Sequence, residues 1–473
     1  MKSIAQIAAE LQGYDPQALS TSDVLRFLSQ LVTPVQDTLS LPLFEALGRV
    51  LASDVVSPID VPPHDNSAMD GYAFDGAQLA AGVALTLRVA GTALAGKAWP
   101  GQVQAGQCVK IMTGAIMPSG LDTVVPQEFV SKAADLITVP PGLLQPGDNR
   151  RLRGEDLLQG RPALLKGELL TPARLGLVAS LGMKTVSTLR PLRVAYFSTG
   201  DEILSLGEPP REGAVYDSNR YTVFGMLRRL GCEVIDMGVV HDDPAQLQAA
   251  FLAAAAQADA IITSGGVSVG EADHTKAMMK QLGDVAFWKI AMRPGRPMAV
   301  GRIHQGKSAH SPLQTGVKSS QNNSNPNGAM PRFAAGPPQG ETAFSEGSKP
   351  DEVGSVGAIL FGLPGNPVAV MVTFLAFVRP ALLQMMGCNT SAQPLLKARS
   401  LEPLRKKPGR TEYQRATVST APDGSLQVVT TGNQGSGVLS SMAQANGLIV
   451  LHHKRGQVAA GDEVDVMMFD GAM

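Results

Sequence analysis

The sequence has few cysteines, no excess of charge of one sign and no long hydrophobic run. Its three cysteines, among 473 residues, lie far apart with no C-x-x-C pair, which excludes a disulfide framework and a cysteine-rich zinc site. The 40 Lys and Arg nearly balance the 41 Asp and Glu, so no overall field would recruit a nucleic acid or an anionic membrane. The longest apolar stretch, residues 368–378, is well short of the roughly 18 residues that a membrane-spanning helix needs. It predicts a buried helix.

The amino-terminal residues MKSIAQIAAELQGYDP lack the apolar core of a secretory signal, because Gln6 and Glu10 interrupt them. Together with the scarcity of cysteine, this predicts a cytoplasmic protein. Cys108, Cys232 and Cys388 join no Cys-His motif, so we expect them to be packed and inert rather than nucleophilic.

A hydrophobic content of 44% with 17% charged residues is typical of a globular chain, and the length suggests about three domains. Residues 17–56 carry helical spacing, with Thr21, Ser22 or Asp23 as a cap and a helix end before Pro34. A second apolar set over residues 43–51 continues that pattern up to the proline-rich SPIDVPPHDN bridge. A further amphipathic helix is predicted later in the chain, with Thr171 as its cap and Pro172 as its first residue.

The remaining chain divides into two β regions and one α/β region. Short alternating runs between residues 81 and 144 predict a small β domain. Over residues 191–387 apolar strands alternate with helical segments, which indicates a parallel sheet whose loops share one ligand-binding rim. From residue 394 onward, apolar runs punctuated by glycine predict an all-β tail. Residues 304–356 are rich in Ser, Asn, Gly and Pro and predict a disordered insertion between antiparallel-compatible strand ends.

Three loops that follow predicted strands carry groups suited to phosphate binding. The second and third loops lead into helices, so free backbone amides would point at the same rim. Neither loop matches the Walker motif or the usual dinucleotide fingerprint, and each taken alone is equally explained as turn chemistry. The residues concerned are Ser198, Thr199, Gly200, Ser264, Gly265, Gly266, Pro364, Gly365 and Asn366.

Charged residues accompany these loops. Glu202 follows the first strand, and helix capping accounts for Asp243 but not for Asp242, so Glu202 and Asp242 are candidate cation ligands. The segment WKIAMRPGRP supplies three cations suited to a doubly charged oxyanion. These cations are Lys289, Arg293 and Arg296. The alternatives are a solvated turn at Glu202 and a solvated basic strand.

The segment DNSAMDGYA, residues 65–73, is a dense polar cluster directly after the proline-rich bridge. Polar residues concentrated on an irregular stretch indicate a functional loop. The alternative is a network of Asx turns that holds the domain junction together.

These motifs occur in one order along the chain: DNSAMDGYA, IMTGA, RRLRGED, STGDE, YDSNR, DDP, SGGVSVGEAD, WKIAMRPGRP, GLPGNP and PGRTEYQR. Together they resemble the molybdopterin molybdenumtransferase family, which includes MoeA and the gephyrin E-domain. The resemblance extends from about residue 20 to the carboxyl terminus, except for residues 304–356.

The resemblance implies a multidomain α/β plus β chain in an elongated homodimer. Residues 1–60 and 150–190 would form a helical linker and dimerisation domain, and residues 61–149 the small β domain. Residues 191–390 would form a doubly wound α/β domain like the molybdopterin-binding fold, and residues 391–473 a C-terminal β barrel.

The implied activity is cofactor assembly from adenylylated molybdopterin and molybdate. The phosphoanhydride is cleaved with Mg²⁺, molybdenum is placed on the dithiolene sulfurs, and AMP is released. The resemblance assigns metal binding and hydrolysis to Glu202, Asp242 and Asp273. The resemblance also implies that three residues of the other subunit enter the cleft: Asp65, Thr113 and Asp156. The resemblance implies that molybdate binds to Lys289, Arg293, Arg296, Arg410 and Ser436. Protein partners would be a molybdopterin adenylyltransferase and molybdoenzyme apoproteins.

Two departures from the family pattern concern anion binding. The family commonly has Lys where Arg293 and Arg296 stand, and commonly has Ser where Ala369 stands. Two other functions compete with the transferase. A scaffold like the gephyrin E-domain would need no catalysis, which the acids at Glu202 and Asp273 argue against. A molybdopterin adenylyltransferase would be a single small domain, which the additional regions argue against.

Overall fold

The computed structural model describes residues 2–267, 274–305, 357–389 and 393–469. Its centre is a six-stranded sheet. The strands are β1 Arg193–Thr199, β2 Glu233–Val240, β3 Ala260–Ser264, β4 Gly283–Lys289, β5 Pro297–Ile303 and β6 Ala358–Leu363. They lie in the order β2-β1-β3-β6-β5-β4. The first four in this order are parallel, as expected for strands that alternate with helices. At one edge β5 and β4 are antiparallel, because the chain between them is too short for a crossover helix.

Helices cover this sheet: Ser218–Leu230, Pro244–Gln257, His274–Leu282 and the continuous helical segment Pro367–Met385. Asp243 caps the second of these by accepting a hydrogen bond from the Gln246 amide at 2.9 Å, with Pro244 in the first turn. Asn366 holds the corresponding position before Pro367, but its side chain makes no capping hydrogen bond.

The segment Pro367–Met385 is the one helix, in the parts of the chain that the structure describes, long and apolar enough to cross a membrane. It includes a π-helical turn, Phe374–Val378. Of its apolar window, 83% is buried inside the structure, among the residues of the main hydrophobic core. The buried helix predicted for residues 368–378 is therefore present as a core helix.

The two β regions form separate sheets. In the small β domain six strands pair in the order Thr123–Pro126, Gly71–Phe74, Gln107–Ile111, Leu85–Ala93, Leu136–Val139 and Ser131–Ala133. Near the carboxyl terminus five strands close into a barrel, each pairing with the next and the last pairing with the first. These are Thr411–Thr420, Leu426–Thr430, Leu396–Ser400, Glu463–Met468 and Gly447–Leu451. The predicted barrel is confirmed.

The amino-terminal region contains less helix than its spacing indicates. Helices Ile4–Glu10 and Thr21–Leu31 are present, and the second ends before Pro34 as predicted. The prediction of Thr21, Ser22 or Asp23 as its cap is wrong, because the Ser20 side chain accepts from the Asp23 amide. The helical expectation for residues 43–51 is wrong. Only a single 3₁₀ turn, Leu43–Glu45, follows the strand Thr38–Pro42, because that strand pairs with Thr185–Leu189 and fixes an extended entry.

Short elements complete the fold. Helix Pro172–Ser180 begins as predicted, with the Thr171 hydroxyl oxygen accepting from the Arg174 amide at 3.4 Å. The remaining elements are the helix Leu439–Gln444, the 3₁₀ turns Gly76–Gln78 and Gln127–Phe129, and the strands Val55–Val56, Asn66–Ser67, Arg150–Arg151, Pro162–Leu164, Ile203–Leu204, Val215–Tyr216 and Met292–Arg293.

The three thiols are predicted to be unreactive in the folded protein. Burial raises the pKa of Cys108 and of Cys232 to about 12 and the pKa of Cys388 to about 11. At pH 8 no more than about one in 1,000 of these thiols is then a thiolate, which is the reactive form. We expect a chromogenic disulfide reagent to label three thiols in guanidinium chloride and almost none in buffer. Rapid labelling of any thiol in the native protein would contradict this.

The insertion predicted at residues 304–356 is expected to be dispensable. From residue 306 onward it lies outside the described residues, but its two ends belong to the antiparallel pair β5–β6, in which Ile303 pairs with Ala358. A short turn can join such neighbours, and loop length changes the closure cost slowly. Replacing residues 308–352 by a short turn should leave unchanged the thermal midpoint and the activity that the resemblance implies, molybdate-dependent AMP release. Loss of that implied activity in a folded deletion variant would contradict the prediction.

Candidate functional site

A cleft of about 1030 Å³ lies where the carboxyl ends of β1, β3 and β6 face the barrel. The position agrees with the expectation that loops after parallel strands share one rim. Most of the residues singled out in the sequence line this cleft: Thr199, Gly200, Glu202, Asp242, Ser264, Gly265, Gly266, Arg293, Arg296, Pro364, Gly365, Asn366, Arg410 and Ser436. Segments more than 200 residues apart in the sequence thus meet at one site.

Two candidate residues of the α/β domain do not line the cleft. Lys289 ends β4, where it is half-buried and its backbone amide donates to the Pro16 carbonyl at 2.8 Å. Because Lys289 does not line the cleft, its position does not support its assignment to the oxyanion site. Ser198 is 1% exposed and lies beneath the cleft rather than in its wall. Asp273 lies outside the described residues.

Glycine is required where the loops after β1 and β3 approach each other. Gly265 has φ +94°, and a Cβ there would lie 2.4 Å from the Thr199 carbonyl oxygen. That close approach puts the two loops in one wall of the cleft. The Gly265 amide donates to the Leu363 carbonyl at 3.2 Å, which ties the same loop to the end of β6.

Three buried hydroxyl groups connect β1 to β3 below these loops. The Tyr196 hydroxyl lies 2.9 Å from Ser198 Oγ and 2.7 Å from Ser264 Oγ, and the two serine oxygens are 3.1 Å apart. Burial raises the pKa of Tyr196, so its phenol stays protonated and available as a donor. Ser198 thus supports the wall in which Ser264 lies.

Carboxylates lie on one side of the cleft. Glu202 is exposed and Asp242 is half-buried, with the Thr275 hydroxyl 3.5 Å from Asp242 Oδ1. Asp201, next to Glu202, has its Oδ1 3.2 Å from His241 Nδ1. Within the described ranges, no three His, Cys, Asp or Glu side chains group closely enough to hold a metal ion. The described part of the site therefore supplies three carboxylates, Glu202, Asp242 and Asp217, with Asp273 outside it.

Arginines lie on the other side. Arg293 and Arg296 are exposed, and neither guanidinium makes a hydrogen bond or ion pair with another described residue. The strand Met292–Arg293 pairs in parallel with Thr411 and Glu412 of the barrel, which fixes its position. Arg410 Nε donates to Glu412 Oε1 at 2.8 Å, so this cation is partly neutralised.

A buried arginine of the barrel supports the wall opposite the sheet. Arg415 is 0% exposed, and its guanidinium donates to the carbonyl oxygens of Asn433 at 2.7 Å and Gly435 at 3.0 Å. The next residue along this loop, Ser436, lines the cleft, and its carbonyl oxygen accepts from the Val368 amide at 3.1 Å. Sequence reasoning missed Arg415, because strand alternation does not distinguish a buried arginine from a solvated one.

The motif YDSNR also contributes to the cleft, although its residues were not among the candidate site residues. Asp217, Ser218 and Asn219 all line it. Asn219 Nδ2 donates to the Gly365 carbonyl at 2.7 Å, across 146 positions of the chain. The sequence signal that could have indicated this site is Asp217, which stands directly before an amphipathic helix. Helix capping explains an Asp at that position equally well.

Asp65, Thr113 and Asp156 lie away from this cleft, in and beside the small β domain. Asp65 Oδ1 accepts from the Arg153 amide at 2.8 Å, while the amide and hydroxyl of Thr113 both donate to Asp70 Oδ1 at 2.7 Å. The Asp156 amide donates to the Val61 carbonyl at 3.0 Å. Through Asp65 and Asp70, the DNSAMDGYA segment thus contacts Arg153 and Thr113 of the same chain. Within one chain they do not reach the cleft.

Comparison with known families accounts for nearly the whole chain. Residues 19–182 match the MoeA N-terminal region (domain I and II), residues 195–384 a probable molybdopterin binding domain, and residues 397–469 the MoeA C-terminal region (domain IV). The chain is 38% identical over 446 residues to the molybdopterin molybdenumtransferase of Haemophilus influenzae, which covers 94% of this chain and 97% of that protein. It is 32% identical over 461 residues to the one from Nostoc sp., with coverage of 96% and 93%.

A solved structure shows the same arrangement. The molybdopterin biosynthesis MoeA protein from Pyrococcus horikoshii superposes with a TM-score of 0.71 at 25% identity, covering 96% of this chain and 100% of that one. Fold and sequence thus define an enzyme of molybdenum cofactor biosynthesis. The chain belongs to the molybdopterin molybdenumtransferase family, as the order of its motifs predicted.

Proposed function

We propose that the protein transfers molybdenum from molybdate to adenylylated molybdopterin and releases AMP. The observation that carries this proposal is the composition of the single cleft described above. It combines backbone amides of glycine-rich turns, carboxylates, and two arginines, Arg293 and Arg296, that have no anionic partner in the part of the chain that the structure describes. A nucleotide-tagged phosphate ester and a separate oxyanion need these three kinds of group together.

The phosphates of the adenylylated pterin would bind at the turns after β3 and β6. Gly265 and Gly266 follow β3, and Gly365 precedes the helical segment that begins at Pro367. A Cβ built on Gly365 meets nothing within 4 Å, so this turn is open to a ligand. Backbone amides at such turns and at a helix start bind phosphate oxygens without a countercharge of their own.

Glu202 and Asp242 fit a divalent cation by their chemistry, because carboxylate oxygens are the ligands that Mg²⁺ prefers. Both line the cleft that contains the phosphate-binding turns, and Asp273 would add a third carboxylate. A bound Mg²⁺ would supply positive charge that offsets the phosphoanhydride oxygens during cleavage. The two side chains themselves would fix the position of that charge relative to the turns.

Molybdate would bind to the guanidinium groups of Arg293 and Arg296. Both are exposed to the cleft and have no anionic partner among the described residues, whereas Arg410 already contacts Glu412. A planar guanidinium donates two parallel hydrogen bonds to an oxyanion, which a lysine does not. Ser436, on the loop held by Arg415, would add a hydroxyl from the barrel side.

A homodimer would complete the site. Asp65, Thr113 and Asp156 do not reach the cleft of their own chain, so a contribution to catalysis requires the small β domain and the linker of a second copy. The proposed dimer uses a division of the chain into four parts: residues 1–60 with 150–190, residues 61–149, residues 191–390 and residues 391–473. The enzyme would be cytoplasmic. Sedimentation at micromolar concentration should give a dimer, and a monomer with full activity would contradict the shared site.

The decisive experiment follows AMP in a mixture of purified protein, adenylylated molybdopterin, Mg²⁺ and molybdate. Release of AMP that requires molybdate would support the transferase. Equal release without any oxyanion would indicate a hydrolase, and the absence of release from the folded protein would exclude both. Adding a molybdoenzyme apoprotein tests separately whether the pterin product carries molybdenum.

A further inference from the structure

Three buried oxygen atoms in the cleft wall have no hydrogen-bond partner among the described residues. They are Thr199 Oγ1, Asp217 Oδ2 and Asn219 Oδ1. These residues are 3%, 3% and 8% exposed, and all three line the cleft. Buried polar atoms are almost always hydrogen-bonded in folded proteins, so unsatisfied atoms in a ligand cleft mark positions that a ligand completes.

The orientation of two of these atoms is fixed by the rest of their side chains. Asp217 Oδ1 accepts from the Arg220 amide at 3.1 Å, as the cap of the helix Ser218–Leu230. Asn219 Nδ2 donates to the Gly365 carbonyl at 2.7 Å. Because one atom of each side chain is engaged in this way, the other is an oxygen acceptor at the start of the same helix.

Two unpartnered acceptors at the start of one helix suit a ligand edge that carries N–H donors. Phosphate and molybdate oxygens are acceptors, and the Asp217 carboxylate would repel both anions. Adenine presents its exocyclic amine between ring nitrogens that are acceptors. The 2-amino-4-oxo ring of a pterin presents a ring N–H directly beside an exocyclic amine, which gives two adjacent donors. Among the parts of the substrate, the pterin edge fits these acceptors.

We propose, on the basis of the function proposed above, that Asp217 Oδ2 and Asn219 Oδ1 accept hydrogen bonds from the ring N–H and the 2-amino group of molybdopterin. Asp217 is then a residue that determines specificity for the pterin. The Asn219 contact with Gly365 couples the pterin end of the cleft to the phosphate-binding turn.

The first test is Asp217→Asn, which keeps the helix cap because Asn caps as well as Asp. It replaces the acceptor at Oδ2 by an N–H donor that faces the donors of the pterin. We expect the dissociation constant for molybdopterin to rise about 10- to 100-fold, since hydrogen bonds to a charged acceptor are lost. The dissociation constant for AMP with Mg²⁺ should stay within about twofold. Asp243→Asn is the matched control, since it changes a cap outside the cleft.

Unchanged molybdopterin affinity in Asp217→Asn would overturn the proposal. So would an equal loss of molybdopterin and of AMP with Mg²⁺, which would make Asp217 a metal ligand. If the wild-type protein released AMP without molybdate, the proposed transferase would fail, while these affinities would still decide whether Asp217 binds the pterin.

A second test uses the wild-type protein and does not depend on the folding of a variant. 6-Hydroxymethylpterin and its 2,4-dioxo counterpart compete with molybdopterin, and the second has a carbonyl oxygen in place of the 2-amino donor. We expect the pterin to compete at least about tenfold better, because the carbonyl oxygen would face the acceptor that the 2-amino group satisfies, while the ring N–H keeps its own partner. Equal competition by the two compounds would contradict the assignment.

Discussion

Replacing Glu202 by Gln is expected to lower the rate of molybdate-dependent AMP release by about 100-fold or more, because a preorganised charge at the scissile bond is lost. Glutamine keeps the size of the side chain and one oxygen but removes the negative charge that would hold Mg²⁺. The affinity for Mg²⁺ in the presence of AMP should fall in parallel. Binding of molybdate, which is assigned to arginines on the other side of the cleft, should stay unchanged.

Glu212→Gln is the matched control for this experiment. Glu212 is an exposed glutamate ten positions further along the chain, and it does not line the cleft. Its substitution should leave AMP release and Mg²⁺ affinity within about twofold of the wild type. If Glu202→Gln retained full activity at limiting Mg²⁺, the metal would have to be held elsewhere.

The sequence predicted the part of the site that depends on local pattern. An apolar run followed by glycine marks the end of a strand, and the parallel order of β1, β3 and β6 brings such ends to one rim. The turns at Gly200, Gly265 and Gly365 were therefore recognisable one by one. Their meeting in one cleft followed from the α/β alternation alone.

Features that depend on contacts distant in sequence were not predictable in this way. Residues 43–51 have helical spacing, but pairing of Thr38–Pro42 with Thr185–Leu189 sets the chain in an extended path. Lys289 has the same charge as its neighbours in WKIAMRPGRP, yet it ends β4 before the chain reaches the cleft. The Asn219 side chain donates to the Gly365 carbonyl, and no local sequence pattern indicates that contact.

Arg415 shows the same limitation and leads to a second large expected effect. Replacing it by Leu should destabilise the barrel by about 1–3 kcal/mol, the range for removing one partner of a buried hydrogen-bond network. Its guanidinium donates to the Asn433, Gln434 and Gly435 carbonyls and to Ser441 Oγ, and a leucine would remove all four hydrogen bonds. Hydrogen exchange of amides in the strand Thr411–Thr420 measures this loss locally.

The loop held by Arg415 links this change to function. Ser436 follows the bonded carbonyls and lines the cleft, so its displacement should weaken molybdate binding about tenfold, as expected for one lost hydrogen bond to an anion. Arg415→Lys should rescue little, because an ammonium lacks the planar fork that reaches several carbonyls at once. Arg399→Leu, at an exposed arginine of another barrel strand, is the control and should change stability by less than about 0.5 kcal/mol. If Arg415→Leu and Arg399→Leu gave the same exchange rates and the same molybdate affinity, Arg415 would not position the loop.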